Sequence, residues 1–444
     1  MNSLLIYVPK LSNRLGYTLN VIFRHVLQAD FNITDNVDYY LSKDCYKLCY
    51  GAHRIGDTPW IKADTLLFST TIETQDVAYV DYGGYEVPFA VHGHDLDFPF
   101  DVFAATFYLV SRYEEYLPHR NDLHGRYLSA ESMAVQHGFI LKPVVEDWAL
   151  DIVKKIQERY SLFGIPSRHF ELETTIDIDL AYCYLHKGIM RTILGFLRDG
   201  LHRHDWEAVR RRWKVVARKE QDPYDTFDYI LQGFLAHPKS RLLFFALMGD
   251  YGMYDKPTSH HNHDFLQLLQ HLDDFAKMGI HVSYASFDKP EKIEQELTRL
   301  ANTIHRNVEH NRCHFLRLAL PNTYRNLMHT DILHDYTMGY AEQPGFRASI
   351  STPYPFYDLS HDEEAPLIIH PFAVMDTTLK RYCGLNPNGA WNVIKELMDN
   401  VSKVQGTFSC IFHNENLCEM FGWEGWRQVY ERVLDYDTTQ THVS

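Results

Sequence analysis

The stretch Thr174-Thr175-Ile176-Asp177-Ile178-Asp179 closes a run of β-formers that begins near Phe170. Along an extended strand, residues i and i+2 point to the same side, so Asp177 and Asp179 face one spot. Adjacent carboxylates repel unless a cation, a shared proton or water compensates. A strand that ends by aiming two acids at one point reads as the rim of a reaction site. The plainer alternative is a pair of solvated loop aspartates.

Outward from that strand, apolar runs alternate with helical patterns. Strands are expected at Glu171–Asp177, Arg241–Met248, Ile280–Tyr284, His314–Leu318, Leu367–His370 and Phe408–His413, with helices between them at His263–Met278, Pro290–His310 and Gly389–Val401. Leu242-Leu243-Phe244-Phe245-Ala246-Leu247-Met248 is apolar on both faces, as suits a parallel strand covered by helices. The alternation predicts an α/β fold, either a (β/α) barrel or a doubly wound sheet.

The preceding residues read as a smaller α/β unit. Leu4–Val8 is a short strand, and Arg14–Leu27 carries Leu15, Leu19, Phe23 and Leu27 at helical spacing. Val77–Val80 and Tyr82–Tyr85 suggest a hairpin, and Phe100–Tyr116 and the stretch after Pro143 suggest helices. The pattern resets between Tyr160 and Arg168, at Gly164 and Pro166. Two domains are therefore expected, residues 1–165 with no assigned role and residues 166–444 with the strands above. The basic run within Leu201–Glu220, which includes Arg210-Arg211-Arg212, reads as a solvated helix face rather than a docking site for an anionic partner.

Acidic side chains outnumber basic ones by 58 to 43, which disfavours nucleic acid as a partner. Seven scattered cysteines without a C-x-x-C pair point to a reducing compartment. Leu4–Val8 is too short for a secretory h-region, and no apolar run approaches the roughly 18 residues needed to span a bilayer. A cytoplasmic protein with no membrane span is expected.

Polar residues recur at the ends of the expected strands: Asp177 and Asp179 on the first, His281 on the third, Arg317 on the fourth and His413 on the last. In a barrel those ends share one mouth. Each residue alone has an ordinary structural explanation; their joint placement marks them.

These residues carry a resemblance. Thr175–Asp179 resembles the D-x-D first motif of the polysaccharide deacetylase (NodB homology) superfamily, the carbohydrate esterases of family four. Gly279-Ile280-His281-Val282-Ser283-Tyr284 resembles the second motif, Arg317-Leu318-Ala319-Leu320-Pro321 the third, and Phe408–Asn414 the last. Gly339-Tyr340-Ala341, Pro344-Gly345-Phe346-Arg347 and Met375–Leu379 are similar to a bacterial subgroup with its own N-terminal domain. Ser12-Asn13-Arg14-Leu15 and Ser111-Arg112-Tyr113-Glu114-Glu115-Tyr116 resemble that N-terminal domain.

The resemblance implies a distorted (β/α) barrel and a divalent metal, zinc, that activates a water against an acetyl carbonyl. Asp179 and His281 would be metal ligands and Asp177 the general base. Arg317 would orient Asp177 through a charge-assisted pair, and His413 would protonate the leaving group. The family's second motif is H-x-x-x-H, but Ala285 stands four residues after His281. Three protein ligands are the norm for catalytic zinc, so the site is expected to be one ligand short. His370 is the first outside candidate for that place, ahead of Ser283 and of His260, His261 and His263.

Two functions compete. One is a hydrolase removing acetyl or related acyl groups from a carbohydrate or small amide. The other is a catalytically inactive relative that binds a glycan or partner. A ring-opening amidohydrolase of the same superfamily is a third reading, since fold does not fix substrate.

Overall fold

The computed structural model describes residues 4–436 and gathers the strands into three sheets. The first holds β1 (Leu4–Tyr7), β2 (Phe31–Thr34), β3 (Tyr46–Gly51) and β4 (Trp60–Lys62) in the order β2-β1-β3-β4, all parallel. After β1 the Ser12 side chain accepts a hydrogen bond from the Leu15 N–H and caps the helix that buries Leu15, Leu19 and Phe23. β5 (Tyr79–Tyr82) and β6 (Tyr85–Pro88) form the expected hairpin. Gly83 and Gly84 sit at its turn with φ of 66° and 83°, the positive values a tight two-residue hairpin turn needs.

The largest sheet has nine strands: β7 (Glu171–Ile178), β8 (Arg241–Ala246), β9 (Lys277–Val282), β10 (His310–Cys313), β11 (His334–Asp335), β12 (Tyr354–Asp358), β13 (Glu363–Ile369), β14 (Val374–Met375) and β15 (Thr407–His413). Their order is β12-β13-β11-β10-β9-β8-β7-β15-β14, and only the β12–β13 pairing is antiparallel. The chain is thus a mixed α/β fold built on a large, mostly parallel sheet. Among the described residues no ladder joins β12 to β14, so hydrogen bonding does not close the sheet into a ring.

His281 Nε2 on β9 lies 3.6 Å from Asp177 Oδ2 on β7, the two side chains reaching towards each other past β8. Between them β8 presents Phe245 level with Asp177. Gly279 makes room for that ring, because a Cβ there would meet Phe245 Cε1 at 2.5 Å.

One expected strand is displaced. β10 spans His310–Cys313 rather than His314–Leu318, and the chain then turns sharply through left-handed Phe315 (φ 61°) and Leu316 (φ 53°). The apolar look of Phe315-Leu316-Arg317-Leu318 mimicked a strand; its side chains fill the packing around the turn instead.

The first 160 residues pack onto the large sheet through buried polar pairs. Arg14, fully buried, reaches Asp362 Oδ1 at 2.9 Å and the Leu66 and Thr71 carbonyls. Arg347 forks onto Glu115 at 2.9 and 2.6 Å, and Arg112 bonds Glu114, Glu115 and the Tyr340 hydroxyl. The Ser111–Tyr116 and Gly339–Arg347 segments are therefore halves of one buried network.

Candidate metal and catalytic site

β7 delivers Asp177 and, one residue past its end, Asp179 to the C-terminal ends of the strands. β9 brings His281, the first residue after β10 is His314, and β15 ends in His413. All five converge on a cavity of about 440 Å³. His281 Nε2 is 3.3 Å from Asp179 Oδ1, His314 Nε2 is 3.3 Å from Asp179 Oδ2, and His413 Nε2 is 3.9 Å from the same oxygen.

Each imidazole is oriented by a partner on its other nitrogen. His281 Nδ1–H donates to the Arg312 carbonyl at 2.8 Å, His314 Nδ1–H to Asp255 Oδ1 at 2.8 Å, and His413 Nδ1–H to Asp376 Oδ1 at 2.8 Å. These bonds assign the tautomers and turn every Nε2 towards the cavity. Asp255 is itself fixed by the Tyr284 and Ala285 backbone N–H groups, at 2.7 and 3.1 Å. Asp376 also accepts the His413 N–H and the Asn416 amide, both at 2.9 Å.

The donor set is one that could hold a cation. Asp179, His281 and His314 place three ligand atoms within 4.8 Å of one another. With Nδ1 of each imidazole engaged, an unprotonated Nε2 and the carboxylate would face one another as acceptors, an arrangement that a proton or a cation on Nε2 reconciles. Asp179 Oδ1, buried and without a hydrogen-bond partner, marks the same spot. Carboxylate plus two imidazoles suits zinc and similar divalent ions.

The charges show what these groups do to one another. Burial opposes charging His314, but Asp179 and Asp255 outweigh it and raise its pKa to about 10. Burial likewise opposes charging His413, yet Asp376, then Asp179 and Asp177, raise it to about 10. Burial would raise Asp179, but His314 and His281 hold it well below the carboxylate range. Glu415 at the cavity wall is pushed up by burial first and by Asp179 second.

Two sequence expectations are corrected. Arg317 does not reach Asp177. Its Nε donates to the His124 carbonyl at 2.9 Å, its Nη1 to the Tyr284 carbonyl at 3.2 Å, and it stacks on Tyr284 and Phe287. The sharp turn at Phe315 carries it away, and the guanidinium on Asp177 is that of Arg312. The missing ligand is not His370, whose Nε2 meets His334 Nδ1 at 3.0 Å and whose ring stacks on Tyr336. Ser283 is committed to Glu296 at 2.6 Å, and the His260 and His261 rings lie against each other, tilted by 47°. The third group standing with Asp179 and His281 is His314. Arg312 and His314 are an i, i+2 pair, as Asp177 and Asp179 are, and that spacing was the signal that could have found them.

The first 160 residues reach the cavity through Arg126, which bonds Asp122 at 2.7 Å and the Phe315 carbonyl at 3.0 Å. No helix among the described residues is long and apolar enough to cross a membrane.

Residues 4–161 match the model of a family of unknown function, DUF7033. No curated protein matches the chain. Among solved structures, a protein from Mycobacterium smegmatis described as a polysaccharide deacetylase is similar at 13% identity and a TM-score of 0.40, covering 62% of this chain and 88% of its own. Puue allantoinase is similar at 12% identity and a TM-score of 0.39, covering 62% and 85%. A 4-alpha-glucanotransferase from Thermococcus litoralis is similar at 12% identity and a TM-score of 0.34, covering 62% and 39%.

Proposed function

We propose that the chain is a metal-dependent hydrolase that removes acetyl or related acyl groups from a carbohydrate or small amide. The observation that carries this reading is the convergence of Asp179, His281 and His314 beside two further groups, Asp177 held by Arg312 and His413 held by Asp376. In the same reading residues 166–444 form a distorted (β/α) barrel of the deacetylase type. Residues 1–165 form a smaller domain that lends Arg126 to the cavity.

Asp179, His281 and His314 would hold a divalent ion such as zinc, which acidifies water and polarises a carbonyl oxygen. Asp177 takes the proton of the attacking water, its carboxylate fixed in direction by Arg312. As the new C–O bond forms and the C–N or C–O bond to the leaving group breaks, His413 delivers a proton from Nε2 to the departing nitrogen or oxygen. Asp376 keeps that imidazole charged and its Nε2 aimed at the cavity. The reading as a non-catalytic binding protein leaned on the absent second histidine of the second motif; His314 beside Asp179 and His281 supports the hydrolase instead.

The test is zinc equilibrium dialysis together with acetate release from a panel of N- and O-acetylated sugars. Asp179→Ala is expected to lose zinc and turnover, and Asp177→Asn to keep zinc and lose turnover. Wild-type protein that retains no zinc after dialysis would overturn the metal assignment. Zinc-loaded protein whose acetate release is the same in Asp177→Asn would overturn the catalytic one.

A further inference from the structure

Immediately after the Asp177–Asp179 strand end, the chain leaves the sheet in a helical excursion. Helix Ile189–Leu197 buries only Gly195 among its nine residues. Its large apolar side chains face solvent: Ile189 is 82% exposed, Met190 71%, Leu194 55% and Leu197 47%. At 3.6 residues per turn, these residues and Ile193 share an arc of about 140°, a single apolar face. Leu201 continues it, and on helix Trp206–Val216 the two tryptophans Trp206 and Trp213 are 67% and 52% exposed.

The same excursion reverses the sign of the protein. Between residues 187 and 219 there are ten Lys and Arg against three Asp and Glu, in a chain of formal net charge −15. Among the described residues Arg203, Arg210 and Lys219 are exposed and form no ion pair; Lys219 lies over the Trp213 ring at 4.4 Å. Beside the apolar face, Lys187, Arg191, Arg198, Arg212 and Lys256 line a cleft of about 340 Å³. Asp199 pairs with Arg198 and Arg212, whereas Lys187 and Arg191 have no carboxylate partner there.

We propose that this face docks on an anionic phospholipid surface, with the Ile189–Leu201 stripe and Trp206 and Trp213 entering the interface and the flanking cations meeting lipid phosphates. An exposed apolar helix face flanked by basic side chains, with exposed tryptophans nearby in the chain, is the combination that holds a helix in the plane of a membrane surface. A second copy of the chain is a poor occupant, because two such faces would bring like charges together. The excursion departs from the same end of the sheet as the site, and Leu180, the neighbour of Asp179, lines the cationic cleft. Docking here holds the reaction cavity close to the lipid surface.

Vesicle flotation of the full chain tests the proposal. Binding is expected to vesicles of phosphatidylcholine with phosphatidylglycerol, to fall steeply with added salt, and to be at least tenfold weaker to phosphatidylcholine alone. The paired changes Ile193→Glu with Leu194→Glu, and Arg203→Glu with Arg210→Glu, lie on exposed positions. Each pair is expected to lose at least tenfold in binding with an unchanged circular dichroism spectrum. Failure to float with the anionic vesicles at low salt overturns the proposal, as does equal binding to both vesicle types or undiminished binding by both paired variants. A dimer in sedimentation that dissociates on Ile193→Glu with Leu194→Glu also overturns it, by giving the face to a second copy.

Discussion

Arg312 Nη1 stands 2.5 Å from Asp177 Oδ1, with both side chains buried and the guanidinium plane over Phe245 at 4.4 Å. Its Nε is spent on the Tyr336 carbonyl at 3.0 Å, so the fork cannot swing away. Removing one partner of a buried pair leaves an uncompensated charge and costs about 3–5 kcal/mol. Arg312→Met is expected to lose about that much stability and roughly a hundredfold in turnover, read by urea denaturation and acetate release. Arg312→Lys is expected to recover only part, lacking the planar fork. Arg317→Met leaves the Asp177 pair in place and is expected to change turnover by less than about tenfold. An equal loss in Arg317→Met would return the orienting role to Arg317.

The ligand assignment makes a graded forecast for metal affinity. His314→Ala removes a direct ligand and is expected to abolish stoichiometric zinc binding. Asp255→Asn keeps the ligand but weakens the group that aims it, and changes of that kind typically cost 10–100-fold in affinity. His370→Ala is expected to leave zinc binding unchanged, since that ring belongs with His334 and Tyr336. Competition titration with a chromophoric chelator ranks the three. Weaker binding in His370→Ala than in His314→Ala would refute the assignment.

The fold class, the strand-end cluster and four of the six groups in the proposed chemistry were legible in the sequence. Asp177, Asp179, His281 and His413 close or follow runs of β-formers, and parallel strands bring such ends together. Arg312 and His314 were not, for a local reason. β10 is only four residues long, His310-Asn311-Arg312-Cys313, and reads as polar, while the apolar Phe315-Leu316 that follows belongs to a left-handed turn. Periodicity favours the apolar stretch and so shifts the strand by four residues. That single shift put Arg317 in Arg312's place and hid His314. Asp255 and Asp376 were also out of reach, because a partner that steadies a ligand is recognised by contact and not by spacing.

Metal uptake should depend on pH in a defined direction. The folded pKa of His314, about 10, lies above the ordinary histidine value of 6.5. In metal-free protein this group therefore contributes stability that is full below about pH 6.5 and is lost as pH rises through about 10. A divalent ion competes with that proton, so apparent zinc affinity should rise by about tenfold per pH unit between 6.5 and 9. Calorimetry in buffers of different ionisation heat counts the proton released. Zinc binding without proton release at pH 7.5 would exclude His314 as a ligand.

Glu115 and Arg347 supply the prediction for acid stability. Burial alone would raise the Glu115 carboxyl, but Arg347 and then Arg112 outweigh it and lower its pKa to about 2. The folded value lies below the unfolded one, near 4.5. The contribution is therefore complete above about pH 4.5 and is lost as pH falls through about 2. Glu115→Gln is expected to flatten the acid limb of the stability curve between pH 4.5 and 2, and to cost about 3 kcal/mol at pH 7, where the two guanidinium groups lose their counter-charge. The consequence reaches the cavity, because Arg347 also holds the Gly339 carbonyl at 3.2 Å and Ala341 forms part of the cavity wall. Turnover in Glu115→Gln should accordingly fall while zinc stoichiometry stays intact. An unchanged acid limb would show that the pair contributes nothing to stability, and lost zinc would show that the network supports the ligands rather than the wall.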